Sequence, residues 1–565
     1  MLSLSSLVSL ITPGSGKTFI ETTYELYKRH FGKYFGSVIK GFFCDEPCNF
    51  SGVINGIFFW KGCKYKTSIP WVKDMEKNFF ERYGYDIKEL IPALFYYTGN
   101  DKASKKARED FARLLTEMLK KNFFLSVKNW CKENGVLFTG HFNNDDLIER
   151  HLFSTGDLLV QMKVFDIPGI DIICQQIMPE KEKARFSHLS YNAFPYNTNM
   201  AKFASSAARQ SGSPYALSEI MATYGCGTTI EDTKWVIDHH LIRGVYLFTP
   251  ATSEYIWGTD NLSFVAAFGF QSPQWLLFPE LIKYLDGFIK LVGDKTPVVD
   301  TGLWYPITSL WREESKNTGL YFEALMEYLL MNGEDFDIVS PNEIDKFQKG
   351  DGYIKYGYRK YTQLIIPPLS SLSEKEKTFI ENFGKDIKVY APALLNLKNT
   401  IHYSPDLSSK YHKVLNPLGS FARMVYRDLG RKMSLLPPCD EPSIKIRKIK
   451  DRRGLIYFVF NESGERHFKG YIKLREECSL FIVRYRNEGF TIYALHHRNS
   501  GYYLEIAPGE TAFIFTFQPS GEFTSEKIYN RKIKLHNRWK ASIVFEIGWN
   551  KNGYYIKNTK KNRWR

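Results

Sequence analysis

The chain has 565 residues, of which 44% are hydrophobic and 24% are charged, and its formal net charge is +15. At about 100–200 residues per domain, this length predicts about three folded units with real cores. No apolar run reaches the roughly 18–20 residues that a membrane span needs, so the sequence predicts no membrane partner. The lysines and arginines are scattered along the chain, which argues against a nucleic-acid partner.

Cysteine usage and the first residues of the chain predict a cytoplasmic location. The eight cysteines form neither a CxxC motif nor a zinc-type spacing, which is typical of reduced thiols in a reducing compartment. Met1–Ile11 is apolar but lacks the basic start and the cleavage site of a signal peptide. We therefore expect no metal cofactor, although a structural divalent cation such as calcium is compatible with the sequence.

A short motif near the start resembles a phosphate-binding loop but is incomplete. Gly16, Lys17 and Thr18 match the end of such a loop. The motif needs another glycine, separated from the Gly-Lys pair by four residues, and that position is occupied by Ile11. Without that glycine the backbone amides cannot wrap a phosphate group. The sequence therefore argues against a nucleotide triphosphatase.

Residues 1–295 alternate amphipathic helices with short apolar strands, which is typical of a parallel α/β sheet. A polar residue lies at or just after the predicted end of each strand, as expected at the active face of a (β/α)₈ barrel. We therefore predict the later strands of such a barrel. The predicted strands are Val38–Phe43, Val136–Thr139, Val164–Ile167, Tyr215–Leu217 and Val245–Phe248, and the predicted helices are Phe19–Phe31, Val72–Tyr83, Asp110–Asn134, Met200–Gln210, Ile230–Arg243 and Trp275–Val292.

Two further units follow the predicted barrel. Residues 296–400 alternate strands and helices again and predict a small flavodoxin-like α/β domain, without a GxGxxG motif for a dinucleotide. Beyond the Pro- and Lys-rich stretch around Pro437–Arg453 the hydrophobic period becomes two, so residues 401–565 predict a β-sandwich. The predicted strands of the sandwich run from Leu455–Asn461 to Glu510–Thr516.

Two glutamates are the candidate catalytic residues. Glu46 follows an apolar strand in the sequence Gly41-Phe-Phe-Cys-Asp-Glu-Pro47, and Glu219 ends the strand that begins at Tyr215. By the predicted strand count, Glu219 lies three strands after Glu46, which places the two carboxyl groups on opposing walls of one barrel cavity. Cleavage of a glycosidic bond needs such a pair, one group to protonate the leaving oxygen and one on the other side of the sugar.

Several other polar or aromatic residues near the predicted strand ends are candidates for substrate binding. Their hydroxyl-binding or ring-stacking groups suit a sugar, although plain turns and core packing explain the same residue types equally well. A metal-dependent hydrolase using His141, Asp145 and Asp166 is an alternative. Asp166, at a predicted strand end, and Asp171, interpreted as a structural cap, lie on either side of a predicted Pro168-Gly169 turn. The candidate substrate-binding residues are Asp45, His141, Asn143, Asp166, Tyr224 and Trp257.

The motifs around these residues resemble glycoside hydrolases. The Asp-Glu-Pro and Ser-Glu strand ends are similar to the acid/base and nucleophile sites of clan A enzymes, which usually carry Asn where this chain has Asp45. A closer resemblance is to the α-L-rhamnosidase family, through Gly41–Pro47, Ile69-Pro70-Trp71, Tyr83-Gly-Tyr-Asp86 with Ile91-Pro-Ala-Leu94, Thr139-Gly-His141 and the C-terminal sandwich. The middle unit also resembles the flavodoxin-like domain of several β-galactosidases.

The resemblance implies a glycosidase acting on an oligo- or polysaccharide, with Glu46 as general acid and Glu219 as nucleophile or base. Clan A membership implies retention of configuration, and the rhamnosidase family implies inversion. It also implies that Glu46 lies on the fourth strand of a barrel whose first three strands are absent, so activity of this truncated chain is an open question. A non-catalytic carbohydrate-binding remnant is the alternative.

Overall fold

The structure is a computed structural model of the 565-residue chain. Most of the three units predicted from the sequence falls within the residues that it describes. These are residues 9–47, 57–60, 63–66, 69–95, 102–146, 148–179, 199–225, 227–251, 272–293, 295–313, 316–331, 333–369, 371–392, 395–403, 433–436, 444–474, 479–486, 489–498, 501–519, 545–550 and 553–558.

A five-stranded parallel sheet forms the first module. Each strand pairs with its neighbour along the chain, so the order in the sheet is the order in the sequence. This is the arrangement of consecutive strands in a (β/α) barrel, and it confirms a partial barrel. The strands, called first to fifth below, are Gly41–Cys44, Leu137–Gly140, Ile167–Ile172, Leu217–Ile220 and Leu247–Pro250.

The helices of this module lie between the strands, close to the predicted positions. Helix Ile230–Arg243 has the predicted bounds, because Thr229 and Asp232 form a capping box at its start and Gly244 adopts a left-handed conformation at its end. Two helices contain a π-helical turn, Ile20–Tyr24 and Lys120–Phe124. The other helical segments are Ser15–Phe19, Glu25–Phe31, Gly32–Tyr34, Met75–Tyr83, Lys88–Leu90, Ile91–Phe95, Lys102–Leu119, Leu125–Glu133, Ile148–Ser154, Leu158–Met162, Met200–Ser211, Pro273–Leu277 and Phe278–Val292.

The third strand departs from the prediction in a way that matters for the site. The sequence predicted a strand ending at Ile167 and a turn at Pro168-Gly169, whereas the strand begins at Ile167 and contains both residues. Gly169 is needed there because a Cβ atom would lie 2.5 Å from the backbone oxygen of Gly140 on the second strand. The Pro-Gly pair therefore marks close strand packing, and Asp166 precedes the strand.

The second module is a doubly wound α/β sheet. Its five parallel strands, numbered along the chain, stand in the order 2-1-3-4-5, which is the flavodoxin-like order. The strands are Thr301–Trp304, Phe336–Val339, Gln363–Ile365, Lys388–Pro392 and Ile401–Tyr403. The helices are Ile307–Glu313, Lys316–Met331, Pro341–Lys346 and Glu374–Phe383, and a small antiparallel sheet contains Gln348–Gly350, Tyr353–Tyr356 and Arg359–Tyr361.

Two antiparallel sheets form the predicted sandwich and share an apolar core, in which Ile446 and Val459 of one sheet lie with Leu504 and Ile506 of the other. Strand Ile444–Asp451 falls in the Lys-rich stretch that the sequence did not predict as a strand. The other strands of the larger sheet are Thr296–Pro297, Gly454–Asn461, Leu480–Arg486, Gly489–Leu495 and Thr511–Phe515, and those of the smaller sheet are Met433–Leu436, Phe468–Leu474, His497–Arg498 and Gly501–Ile506.

Two hairpins complete the described residues. Ile57–Trp60 pairs with Cys63–Lys66 after the first barrel strand. Phe545–Asn550 pairs with Gly553–Asn558 in a separate compact unit, residues 525–565. Within the described residues, no helix combines the length and the apolar character that crossing a bilayer requires.

Buried ion pairs join the three modules. Arg243 of the barrel contacts Glu327 of the second module at 3.1 Å and Glu462 of the sandwich at 2.5 Å. Lys445 of the sandwich bonds the other oxygens of the same two glutamates, at 2.8 and 3.2 Å. The Arg243 side chain is fully buried, and two acids and two bases therefore close one charge-balanced ring at the junction of the modules.

A second buried cluster joins the same three modules. Lys202 of helix Met200–Ser211 forms an ion pair with Asp335, which precedes a strand of the second module. Arg447 of the sandwich donates to the other oxygen of Asp335 at 2.9 Å. None of these three side chains is more than 1% exposed, so each charge depends on its partners rather than on water.

Candidate active site

The carboxyl ends of the first four barrel strands bring five polar groups to one edge of the sheet. Asp45 and Glu46 follow the first strand, and His141 follows the second. Asp171 on the third strand pairs in register with Glu219 on the fourth. Because in-register residues of parallel strands point to the same face of the sheet, these side chains meet in one space.

His141 is the centre of the cluster. Its Nε2 atom lies 3.0 Å from Oε2 of Glu219 and 3.2 Å from Oδ1 of Asp45. The His141 side chain is 1% exposed, the Glu219 side chain 18% and the Asp45 side chain 75%. His141 is therefore buried, Glu219 is half-buried and Asp45 faces the solvent. The imidazole therefore fixes Glu219 relative to the loop after the first strand.

The surroundings keep His141 protonated. Burial alone lowers the pKa of His141, but hydrogen bonds to Asp45 and Glu219 and the charges of Asp171 and Asp145 hold it well above its ordinary value. The hydrogen bond between His141 and Asp45 in turn lowers the pKa of Asp45. At neutral pH the site therefore contains an imidazolium shared between two carboxylates.

Glu46 occupies the solvent side of the cluster. The residue is exposed, and Nδ2 of Asn143 donates a hydrogen bond of 2.9 Å to its Oε2 atom. Its backbone has φ of 45°, in the left-handed region that costs about 1–3 kcal/mol for residues other than glycine. Asn143 and this backbone turn together hold the carboxyl group of Glu46 beside the other acids.

Backbone strain concentrates at this edge of the sheet. Glu46 and Asn144 have positive φ after the first and second strands, and the same conformation recurs after the third and fourth. Such strain clusters at functional sites, where the surrounding fold imposes it. The residues after the third and fourth strands are Cys174, Gln175, Met221 and Thr223.

Asp171 is a member of the cluster that the sequence analysis missed. It is 7% exposed, and its Oδ1 atom has no hydrogen-bond partner among the described residues. Its backbone N–H donates to Oδ2 of Asp145 at 3.2 Å. Burial, and then the charges of Glu219, Glu46 and Asp45, raise the pKa of Asp171 to about 8, against a lowering by His141. Correct placement of the third strand would have revealed it, because Asp171 then precedes the end of that strand by one residue.

The close approach of the first two strands requires a glycine beside the cluster. Gly140 has φ of 143°, and a Cβ atom there would lie 2.1 Å from the backbone oxygen of Cys44. Cys44 accepts a hydrogen bond from the N–H of His141 at 3.3 Å. Gly140 therefore sets the position of His141 relative to Asp45.

The structure does not bring Asp166 to the site. Asp166 precedes the third strand, at the opposite end from Asp171, and its carboxylate accepts from Lys128 at 2.5 Å and from the N–H of Phe138 at 2.8 Å. The sequence placed it at the wrong end because it read Pro168-Gly169 as a turn. The metal-binding set of His141, Asp145 and Asp166 is consequently not assembled.

Of the two aromatic residues predicted to bind substrate, Tyr224 and Trp257, the structure describes only Tyr224. Tyr224 is 1% exposed and donates its hydroxyl hydrogen to the backbone oxygen of Ile177 at 2.8 Å, so its ring packs in the core rather than facing the cluster. Trp257 lies outside the described residues. A stacking platform for a sugar is therefore not provided by Tyr224.

One trio of groups within the described ranges has the geometry to hold a cation. The ligand atoms of Asp45, His141 and Glu219 all lie within 4.8 Å of one another. A cation there would require the neutral imidazole, since the protonated ring has no free lone pair at Nε2. The proton on His141 and a cation at this point therefore exclude each other.

Comparison with known proteins supports the resemblance inferred from the motifs. The family model of α-L-rhamnosidase matches residues 65–253, a segment that contains His141, Asp171 and Glu219. No curated protein matches the chain.

Solved structures of glycosidases share the fold. A rhamnosidase from Novosphingobium sp. PP1Y superposes with a TM-score of 0.63 at 14% identity, covering 98% of this chain and 52% of that one. A β-galactosidase from Bacillus circulans sp. alkalophilus gives 0.55 at 10% identity, covering 89% and 82%, and an exo-carrageenase of family GH42 from Bacteroides ovatus gives 0.53 at 12% identity, covering 84% and 66%. The chain thus spans about half the length of the similar rhamnosidase. The resemblance to the α-L-rhamnosidase family and to the β-galactosidase-like enzymes of clan A, predicted from the sequence motifs, is confirmed.

Proposed function

We propose that this chain hydrolyses O-glycosidic bonds, with Glu46 as the general acid and Glu219 as its anionic partner. The observation that carries the proposal is that His141 contacts both Glu219 and Asp45, the neighbour of Glu46, so that the ends of two strands three positions apart in a barrel-type sheet are joined in one site. A pair of carboxyl groups on two sides of a sugar is the arrangement that glycoside hydrolysis uses.

The position of Glu219 suits an anionic role. Its carboxylate accepts a hydrogen bond from His141, whose raised pKa provides a positive charge at 3.0 Å. A carboxylate held in this way either attacks the anomeric carbon or takes a proton from the water that attacks it. In both cases the imidazolium of His141 also orients the side chain.

The position of Glu46 suits proton donation. Its carboxyl group faces solvent and is held by Asn143, so it can deliver a proton to the leaving oxygen and regain one from water. The bond between the anomeric carbon and that oxygen breaks as the proton is transferred, and the leaving group departs as a neutral alcohol. Asp45 next to it is engaged by His141 and supplies negative charge for the developing oxocarbenium ion.

The substrate class follows from the resemblance. The family model that matches residues 65–253 is that of α-L-rhamnosidase, so we propose a terminal α-L-rhamnoside of an oligo- or polysaccharide as the substrate. Neither a resident metal nor a nucleic acid is part of the proposal. The hydrolysis that we propose requires only the carboxyl groups, the imidazolium and water.

The test measures hydrolysis of 4-nitrophenyl α-L-rhamnopyranoside and of the corresponding β-D-galactopyranoside. Glu219→Gln should lower kcat by a factor on the order of 10³ or more, because the substitution removes the anionic group. Glu46→Gln should cost less on the nitrophenyl glycoside than on an alkyl rhamnoside, since a good leaving group needs little protonation. Glu21→Gln, on the exposed helix face near Lys17, is the matched control.

Two outcomes would contradict the proposal. Equal losses for Glu46→Gln on both leaving groups would show that Glu46 is not the proton donor. Binding of rhamnose without turnover of any glycoside would favour the non-catalytic carbohydrate-binding alternative. The anomer first released, followed by proton NMR, distinguishes a nucleophilic Glu219 from one that activates water.

A further inference from the structure

Asp171 is the buried polar group of the site that the proposed hydrolysis leaves without a role. Its side chain shares the face of Glu219, because the two residues pair in register on adjacent strands. Its Oδ1 atom has no hydrogen-bond partner among the described residues, although Asp171 is only 7% exposed. A buried polar atom in this condition costs free energy unless a ligand or water satisfies it.

We propose that Asp171 is a substrate-binding residue whose buried Oδ1 bonds the sugar hydroxyl next to the anomeric carbon. This inference rests on the proposed function, since it assumes that Glu219 acts at the anomeric carbon. Adjacent strands lie about 4.8 Å apart, so Asp171 lies one strand spacing from Glu219. That spacing suits contact with the neighbouring ring position rather than with the reacting carbon itself.

The fold holds Asp171 in place from behind. The backbone N–H of Asp171 donates to the buried carboxyl group of Asp145, and Ile170 and Ile172 on either side of it are fully buried. The backbone is therefore fixed, while Oδ1 remains available. A group held in this way is preorganised to bind a hydroxyl at little cost in conformational entropy.

The charges that face Asp171 favour its protonated form. Glu219 on the fourth strand and Asp45 and Glu46 after the first strand raise its pKa, while His141 after the second strand lowers it. Burial contributes most, and the resulting value is about 8. At neutral pH Asp171 thus carries a proton and donates a hydrogen bond without adding a further negative charge beside the substrate.

The experiment pairs variants of the full chain with a substrate that lacks the hydroxyl. Wild type, Asp171→Asn and Asp171→Leu are compared on 4-nitrophenyl α-L-rhamnopyranoside and its 2-deoxy analogue. Each rate is divided by the uncatalysed rate, because loss of the hydroxyl itself accelerates spontaneous cleavage. Asp286→Leu, on an exposed helix face, is the matched control, and thermal unfolding checks that each variant folds.

The expected result is a coupled loss. Asp171→Leu should lower kcat/KM by about 100-fold on the full substrate, as removal of one transition-state hydrogen bond does, and cause no further loss on the 2-deoxy analogue. Asp171→Asn keeps an N–H donor and should retain most of the activity. Its activity should also lack the decline above about pH 8 that we expect of wild type when Asp171 loses its proton. Equal losses of Asp171→Leu on both substrates would overturn the proposal.

The two proposals fail in different ways. If the wild-type chain hydrolyses no glycoside, the proposed function fails, and calorimetric binding of L-rhamnose and 2-deoxy-L-rhamnose to wild type and Asp171→Leu decides the role of Asp171. Preference of wild type alone for the full sugar supports that role. Equal binding of the two sugars, or no binding, overturns it. If wild type is active and Asp171→Leu is equally active, only the inference about Asp171 fails.

Discussion

Replacing Asp171 by Asn should change how the stability of the protein depends on pH. An unfolded aspartate has a pKa of about 3.9, whereas burial among other acids raises the pKa of Asp171 to about 8. Between these values the folded state binds one more proton than the unfolded state, so the free energy of unfolding falls as pH rises. About four pKa units at about 1.4 kcal/mol each amount to about 5.6 kcal/mol over this range.

Asparagine does not titrate, so the Asp171→Asn protein should escape this decline. Its stability relative to wild type should increase by about 4 kcal/mol between pH 5 and pH 8, which covers three of the four units. Scanning calorimetry of both proteins at unit steps of pH measures the difference, and Asp286→Asn serves as an exposed control whose curve should parallel wild type. Parallel curves for Asp171→Asn and wild type would refute a buried, protonated Asp171.

Three other substitutions test separate parts of the structure. Gly140→Ala should destabilise the barrel by several kcal/mol and abolish activity, since its Cβ would meet a backbone oxygen at 2.1 Å, whereas Gly227→Ala, with open space around it, should be nearly neutral by thermal unfolding. Lys202→Met should cost about 1–3 kcal/mol, because the buried carboxylate of Asp335 loses one of its two cationic partners and keeps Arg447, against less than about 1 kcal/mol for the exposed ion pair removed by Lys283→Met. His141→Gln should cut kcat at least tenfold and leave turnover insensitive to chelators; restoration of wild-type turnover to His141→Gln by added calcium would show that a cation is the native occupant.

The sequence was sufficient to locate Glu46 and Glu219 because strand ends are set by local features. Pro47 follows the first strand, and apolar residues precede each glutamate, so both groups could be placed at the carboxyl ends of strands. The predicted interval of three strands between Glu46 and Glu219 is also correct, because it depends on the number of intervening strands and not on their bounds. Glu46 and Glu219 therefore lie at the ends of the first and fourth strands, three positions apart as predicted, although the strand bounds between them were predicted wrongly.

The local sequence pattern could not predict whether Asp166 or Asp171 lies at the carboxyl end of the third strand. Pro168 and Gly169 are the residues of a tight turn, and the sequence contains nothing that distinguishes such a turn from a glycine required by a neighbouring strand. The deciding contact, between Gly169 and the backbone of Gly140, joins residues that are remote in sequence. Tertiary packing therefore places Asp171 in the site and Asp166 outside it, the reverse of the prediction.

Strand Ile444–Asp451 was missed for an electrostatic reason. Its alternating lysines and arginines led to no strand prediction for the Pro- and Lys-rich stretch, but Lys445 and Arg447 are buried against acids of the other modules. Burial of a charged side chain is recognisable only when its partner is known. The acids concerned, Glu327 and Asp335, belong to a different module and carry no motif.

The ring of Arg243, Glu327, Glu462 and Lys445 bears on how this protein can be dissected or engineered. Separating the modules leaves Arg243 of the barrel and Glu327 of the second module each without an oppositely charged partner from the ring, whereas the sandwich keeps the Lys445–Glu462 pair. An excised barrel segment would therefore expose an unpaired arginine in a surface that is normally buried. The three modules are accordingly expected to melt in one transition and to be exchanged between homologues only as a set. Recombination that swaps the sandwich alone must bring matching partners for Arg243 and Glu327 with it.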